Sequence, residues 1–499
     1  MQVGGRLVKL DVSREETFVS NRTRHAIKFH LETYVRPDGR IVARRMTGYS
    51  NQGGYASHGH GIVAKASTGF CQLYDDEKAC KADVYTVFTN TPVAGAMRGY
   101  GIPQSMFAVE SHADDVAKAV GLDPLAFRAL NKMKVGFSDD FYKYKNTVDS
   151  LGQCIEKGRE YMDYDRRFAE YKNQTGPVRK GIGMAMFWYN TAVWPISLEA
   201  SSCRMVVNQD GTLQLSIGET EIGQGADTVF AQMAADTVGV PFEAVHVVST
   251  QDTDLTPFGL GAYASRQTYI AGMAIDDCGK RLKKEILEYA AMLYKKDAEN
   301  LDLVDGFIED QQSGCTLASL ADVSTTALYS LTNARHFSAE CTHQITSNAL
   351  SLGCCFAEVT VDIPLCKVTL DRIVNVHDCG RLINPELAEA QVHGGMSMAI
   401  GFGLSEELKL DPKTGRVLNN NLLDYKLSTT MDHPDLAAAF VENPEPSSPF
   451  GTKALGEPPA TPGAAAIRNA VLNATGVSVN KLPLSPHVLF EEFKRAGLI

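Results

Sequence analysis

The chain has 499 residues, more than one hydrophobic core usually fills, so two or more domains are expected. Hydrophobic content of 44% and charged content of 21% are ordinary for a globular protein. A net charge of −11 argues against nucleic acid or an anionic membrane as the main partner, and no apolar run reaches the roughly 18 residues of a membrane span. The first sixteen residues contain no apolar h-region, so no secretory signal is expected and a cytoplasmic location follows. The 11 cysteines form no Cys-x-x-Cys pair and read as reduced interior thiols, so no iron–sulfur cluster is expected on this chain.

Residues 27–48 predict a hairpin. Ile27-Lys28-Phe29-His30-Leu31 alternates, Pro37-Asp38-Gly39 turns and Ile41-Val42-Ala43 returns. Helices are predicted from about 103 to 120 and from about 124 to 133, with Pro124 after Asp123 placed as a first-turn proline. The polar, charged stretch 136–180 reads as an interdomain connection, dividing the chain into 1–150 and 151–499. A second unit begins near Gly181. Residues 203–207 and 212–216 predict two strands about an Asp210-Gly211 turn, followed by a helix near 227–238. A hairpin over 356–377, a glycine-bearing helix over 385–404 and a helix from Ala464 complete the reading. Interleaved strands and helices give an α+β, or mixed α/β, class.

The run Gly456-Glu457-Pro458-Pro459-Ala460-Thr461 isolates one carboxylate on a stiff loop before a helix. Two prolines fix φ behind it and a glycine precedes it, which is how a general base would be presented; a solvated loop Glu is the plainer alternative. Gly95-Ala96-Met97-Arg98-Gly99-Tyr100-Gly101 places three glycines around an Arg and a Tyr before a helix, where exposed N–H groups favour an anion. Thr220-Glu221-Ile222-Gly223-Gln224-Gly225-Ala226 follows the same logic, with Gln224 able to hold a heterocycle or phosphate, yet it is no nucleotide P-loop. The 261–268 stretch is small and polar around Ala264-Ser265, and Gln391 sits beside Gly394-Gly395. Arg22, Arg24 and His25 cluster before a strand; His58 and His60 lack a third metal ligand, and no Gly-x-Ser-x-Gly elbow supports a hydrolase reading of His377-Asp378.

In this order the motifs resemble those of the molybdopterin-binding subunit of the xanthine dehydrogenase family, the molybdenum hydroxylases, close to the bacterial three-subunit type. The resemblance runs from Arg6 to Ile499 and rests on residues 95–104, 220–227, 249–254, 391–396 and 456–459. It implies a two-domain molybdopterin-binding fold with the first domain incomplete, because the family carries a further N-terminal third that includes a Gly-rich loop. It implies that Glu457 is the catalytic base. Arg98 and Gly99 would line the cofactor, with Arg98 and Ala264 in the molybdenum environment. Tyr100 would stack on a planar substrate, and Arg24 would bind a purine oxygen and stabilise charge developing there. Gly223, Gln224, Gly225, Ala264, Ser265 and Gln391 would contact the pterin or the metal centre. The activity implied is hydroxylation of a purine, hypoxanthine or xanthine to urate. The alternatives are another N-heterocycle, an aldehyde, or a non-catalytic remnant. The Arg98 loop has no cysteine, unlike carbon monoxide dehydrogenases of this superfamily. The implied cofactor is molybdenum–molybdopterin, as the cytosine dinucleotide. FAD and 2Fe-2S clusters would reside on a FAD-binding subunit and an iron–sulfur subunit of a hetero-oligomer.

Overall fold

The computed structural model describes residues 3–75, 78–248 and 252–499. Strands Ile27–Val35 and Ile41–Gly53 pair antiparallel as the hairpin pattern predicts, and Gly39 takes φ +86° at the turn. The second strand pairs in parallel with Ala79–Phe88, a connection that needs a crossover and uses the helix Gly59–Gln72 for it. Helices Ile102–Ala119 and Pro124–Asn131 follow. Asp123 caps the shorter one by accepting from the N–H groups of Leu125 (2.8 Å) and Ala126 (3.0 Å), and Pro124 occupies the first turn, where its missing N–H costs nothing.

The stretch 136–180 is not a plain connection. It folds into helices Ser150–Met162 and Tyr164–Glu170, and Tyr142, Leu151, Cys154, Met162 and Tyr164 enter the first hydrophobic core. Its charges occupy the solvent face of amphipathic helices, so composition suggests a linker while the helical period carries a buried stripe. That core also takes Ile41, Met106 and Phe127 from the N-terminal part, and Met184, Met186 and Trp188 from strand Val178–Asn190.

The 178–190 strand is the edge of a four-stranded sheet. It pairs antiparallel with Leu350–Asp362, which pairs antiparallel with Lys367–Asp378, which in turn pairs in parallel with Leu436–Phe440. Helix Gly463–Thr475 lies across this sheet, and Gly181 and Gly183 permit the approach. A Cβ at Gly181 would stand 2.0 Å from the Ala470 carbonyl oxygen, and one at Gly183 2.2 Å from the Ala470 nitrogen. A second four-stranded sheet, Ser338–Gln344, Ala200–Val207, Leu213–Ile217 and Val245–Val248, packs with helices Ala226–Val238 and Gln267–Tyr294 around a separate core.

Buried polar ties fix the helices that reach the site. Arg128, fully buried, donates to Glu110 (2.8 Å) and Asp114 (2.6 Å), and Glu110 also accepts from the Met186 N–H (2.6 Å). This couples helix 102–119 to the 178–190 strand. Arg468 bridges helix 463–475 to helix 102–119 through Asp115 (2.8 and 2.9 Å), and Asn469 donates to the carbonyls of Glu110 and Met184. The two helices therefore run side by side, and the loops entering their N-termini meet.

Candidate active site

Those two loops carry Arg98 and Glu457. Glu457 stands directly before a single 3₁₀ turn, Pro458–Ala460, all of it buried. Its Oε1 accepts from the Gly99 N–H (3.0 Å) and its Oε2 from the Ser265 hydroxyl (3.3 Å), while its own N–H donates to Ser265 Oγ (2.8 Å). Ser265 is held in an unusual backbone state: it and Ala264 both have φ near +50°, a left-handed conformation that strains non-glycine residues. The next residue braces them. Arg266, fully buried, donates to Glu199 (2.5 Å), Glu219 (2.6 Å) and the Ala200 carbonyl (2.7 Å), and the Ala264 carbonyl accepts from the Ala192 N–H (2.9 Å). A buried charge triad thus over-determines the backbone that positions Ser265 against the carboxylate.

The Arg98 guanidinium is used as a tether. It donates to the Gly456 carbonyl (2.6 Å) and to both the backbone (2.8 Å) and side-chain (3.4 Å) oxygens of Gln391, from helix Pro385–Leu404. Burial lowers its pKa, and the Glu457 carboxylate works against that. Gly99, Tyr100 and Gly101 all have positive φ, and a Cβ at Gly101 would meet the Ile62 carbonyl at 2.3 Å. The glycines in this loop are therefore required by left-handed backbone and close packing on helix 59–72. Tyr100 is half-buried, and its pKa is raised by burial and by Glu457.

Two cationic groups near Glu457 keep a donor in hand. Arg24 donates through Nη2 to the Arg98 carbonyl (2.9 Å), lies over the Phe402 ring (5.6 Å) and leaves Nη1 buried with no partner. Burial lowers its pKa to about 10 against the fields of Glu406 and Glu457. Lys65 projects from helix 59–72 over the rings of Tyr189 (4.7 Å) and Trp188 (5.3 Å), with Nζ buried and unpartnered. Burial pushes it down to about 7, with Glu457 pulling the other way. Tyr189 is raised well above its ordinary value by burial and by the same carboxylate. Sequence reading passes over Lys65. The available signal is a single lysine with buried Ile62 and Gly69 one turn to either side of it and buried Ala66 next to it.

The Glu221 carboxylate accepts from the N–H groups of Gly223 (2.6 Å), Gly225 (3.2 Å) and Asp227 (3.1 Å), so the chain's own anion fills the helix N-terminus and a phosphate would have to displace it. Gln224 donates to the Thr220 carbonyl (2.9 Å) and to Gln267 (2.7 Å). Gly223 faces open space, and a cleft of about 420 Å³ lined by Glu219, Thr220, Asp227, Thr253 and Phe258 opens beside it. Ser249, Thr250 and Gln251 of the 249–254 motif lie outside the described residues. Among the described residues no group of three or more His, Cys, Asp or Glu is arranged for a metal ion. The unpartnered donors of Arg24 and Lys65 suit an oxygen-rich anionic group that brings its own metal ligands, whereas the cleft beside Gly223 is lined by the carboxylates of Glu219 and Asp227.

Comparison with known proteins bears on that description. Residues 1–132 and 157–434 each match a molybdopterin cofactor-binding domain family. Over its whole length the chain is 48% identical to the xanthine dehydrogenase molybdenum-binding subunit of Escherichia coli O157:H7, and it spans 66% of that protein's length. It is 29% identical to the aldehyde oxidoreductase molybdenum-binding subunit of Escherichia coli K12, over 80% of this chain and 52% of the relative. The fold superimposes on quinoline 2-oxidoreductase from Pseudomonas putida 86 with a TM-score of 0.87 at 24% identity, covering 97% of this chain and 64% of that one.

Proposed function

The chain belongs to the molybdopterin cofactor-binding family, in its xanthine dehydrogenase molybdenum-binding branch, and from that premise we propose that it hydroxylates a purine within a larger complex. The observation that carries this reading is a carboxylate, Glu457, fixed by Gly99 and Ser265 beside two cations, Lys65 and Arg24, that still have a donor to give. The net reaction replaces a ring C–H by C–OH, takes its oxygen from water and releases two electrons and two protons. Bound molybdenum–molybdopterin supplies the two-electron chemistry. Arg98, Gly99, Ala264, Ser265 and Gln391 would border that group on the Glu457 side. Gly223, Gln224 and Gly225 would border its extended end, in the cytosine dinucleotide form, once the Glu221 carboxylate gives up their amide hydrogens.

The protein's own part is proton transfer and electrostatics. Glu457 takes the proton from the attacking hydroxyl, with its carboxylate aimed in advance by two donors. Lys65 Nζ and Arg24 Nη1 meet a ring carbonyl oxygen and stabilise the negative charge that builds there as the ring is attacked. Tyr100 offers an aromatic face to the planar ring. A carbonyl-bearing purine uses these donors; a simple aldehyde has no second oxygen to offer them. Electrons would pass to an iron–sulfur subunit and then a FAD-binding subunit of a cytoplasmic hetero-oligomer.

The test is E457Q in the assembled complex. Hydroxylation of hypoxanthine or xanthine is expected to fall by about 10²–10⁴-fold, the usual scale for a lost general base, with molybdenum and pterin content unchanged. Turnover retained in E457Q removes the base assignment. Wild-type turnover of aldehydes or other heterocycles in preference to purines reassigns the substrate. Wild-type complex that binds no molybdenum makes the chain a non-catalytic member.

A further inference from the structure

The Tyr100 hydroxyl has a partner that takes no part in proton transfer. His58 Nδ1 lies 2.9 Å from it, and the two rings meet edge-on, 89° apart with centroids 5.8 Å apart. His58 occupies the N-cap position of helix 59–72, yet its side chain makes no cap hydrogen bond there. One turn into the same helix Gly61 lacks a side chain where a Cβ would stand 3.0 Å from the Tyr100 hydroxyl. The helix end therefore has both a hydrogen-bond partner and a clearance for this one group. At the other end of the tyrosine the backbone is left-handed, φ +45°, between two glycines of positive φ. A half-exposed ring on such a loop has several rotamers open to it unless its tip is tied.

We propose that His58 is a positioning residue for substrate selection: by holding the Tyr100 hydroxyl it fixes the plane of the ring against which a heterocycle stacks. This rests on the purine-hydroxylase reading of the site. The pair acts on planar ring substrates, because a small aliphatic aldehyde has no face to stack and gains nothing from a fixed ring plane. A phenylalanine at position 100 would offer the same face without the anchor, so here the specificity lies in the hydroxyl and its imidazole partner.

The test uses the assembled complex and two readouts, the Kd for xanthine by calorimetry and the split between KM and kcat. H58F keeps an aromatic edge and loses the hydrogen bond. It is expected to weaken xanthine binding about tenfold and raise KM by a like factor, with kcat changed less than twofold and acetaldehyde kinetics unchanged. H58N, which can still reach the hydroxyl with a polar group, should recover most of that loss. Y100F should weaken xanthine binding by the same factor, and H58F/Y100F by no more than either alone, because both delete one bond. Additive effects, an equal loss for acetaldehyde, or no loss in H58F overturn the proposal while leaving the function standing. A wild-type complex that binds no xanthine fails the functional reading first and takes this proposal with it.

Discussion

Burial pushes the Lys65 amine, in the field of the Glu457 carboxylate, down to about 7, so its proton is sensitive to folding. The cause is burial against Tyr189 and Trp188 with no hydrogen-bond partner for Nζ. Between about 7 and the ordinary 10.5 the unfolded chain carries this proton and the folded chain does not, so unfolding takes up a proton and stability rises with pH across that window. Below about 7 both states are charged and the destabilisation is complete. K65M should therefore melt higher than wild type at pH 6.5, with the gap narrowing by pH 9.5 in paired thermal-unfolding scans. The same variant should lower kcat/KM for a purine by about 10²-fold, within the range for losing one charged donor to a developing oxyanion. In wild type the kcat/KM for purine should fall as pH passes upward through about 7, because the charged donor is lost. Glu457 was legible at this scale, being one carboxylate between a glycine and two prolines. Lys65 was not, because a lone lysine in a helix usually snorkels to solvent and only the packing of strand 178–190 covers it.

At the scale of elements, the site is built where loops enter helices, and glycines set how closely those helices approach the sheet. Gly183 is one such case: any side chain there meets the backbone of helix 463–475, at 2.2 Å from the Ala470 nitrogen. G183V should cost more than the about 1–3 kcal/mol typical of overpacking, since a rigid backbone rather than a flexible side chain must give way. It should also displace the Glu457 loop at the start of that helix. The checks are urea unfolding and pterin content of the purified complex, and normal pterin retention with unaltered stability would contradict this account. The hairpin at 27–48 was legible from alternation and turn residues, and the helix 124–131 from its Asp123-Pro124 start. In the 136–180 stretch net polarity masks the helical period whose stripe enters the first core. The 220–226 loop shows a further limit: glycines beside a helix start suggest a ligand anion, but only coordinates reveal that Glu221 already accepts those amide hydrogens.

Across the whole molecule, the N-terminal part and the sheet that begins with strand 178–190 share one core and one buried ion network. Arg128 compensates Glu110 and Asp114, and Glu110 in turn receives the Met186 N–H of the 178–190 strand. R128M leaves two buried carboxylates without their cation, and a loss of about 3–5 kcal/mol is expected by chemical denaturation. The two parts should unfold together in that experiment, since they do not have separate cores. Among the described residues no helix is long and apolar enough to cross a membrane. The sequence by itself determined the mixed α/β class and marked the glycine-bearing loops and the lone carboxylate among them that we propose carry function. These are local matters of φ preference, turn chemistry and hydrophobic period, encoded within a few residues. Only the tertiary structure decided that Arg98 serves as a tether, that Arg266 braces the strained Ala264-Ser265 backbone, that Lys65 lies in the field of Glu457 and that His58 meets the Tyr100 hydroxyl. Those roles depend on partners far away in the chain, 358 positions from Gly99 to Glu457 and 192 from Ser265 to Glu457, brought together by close packing that no local pattern records.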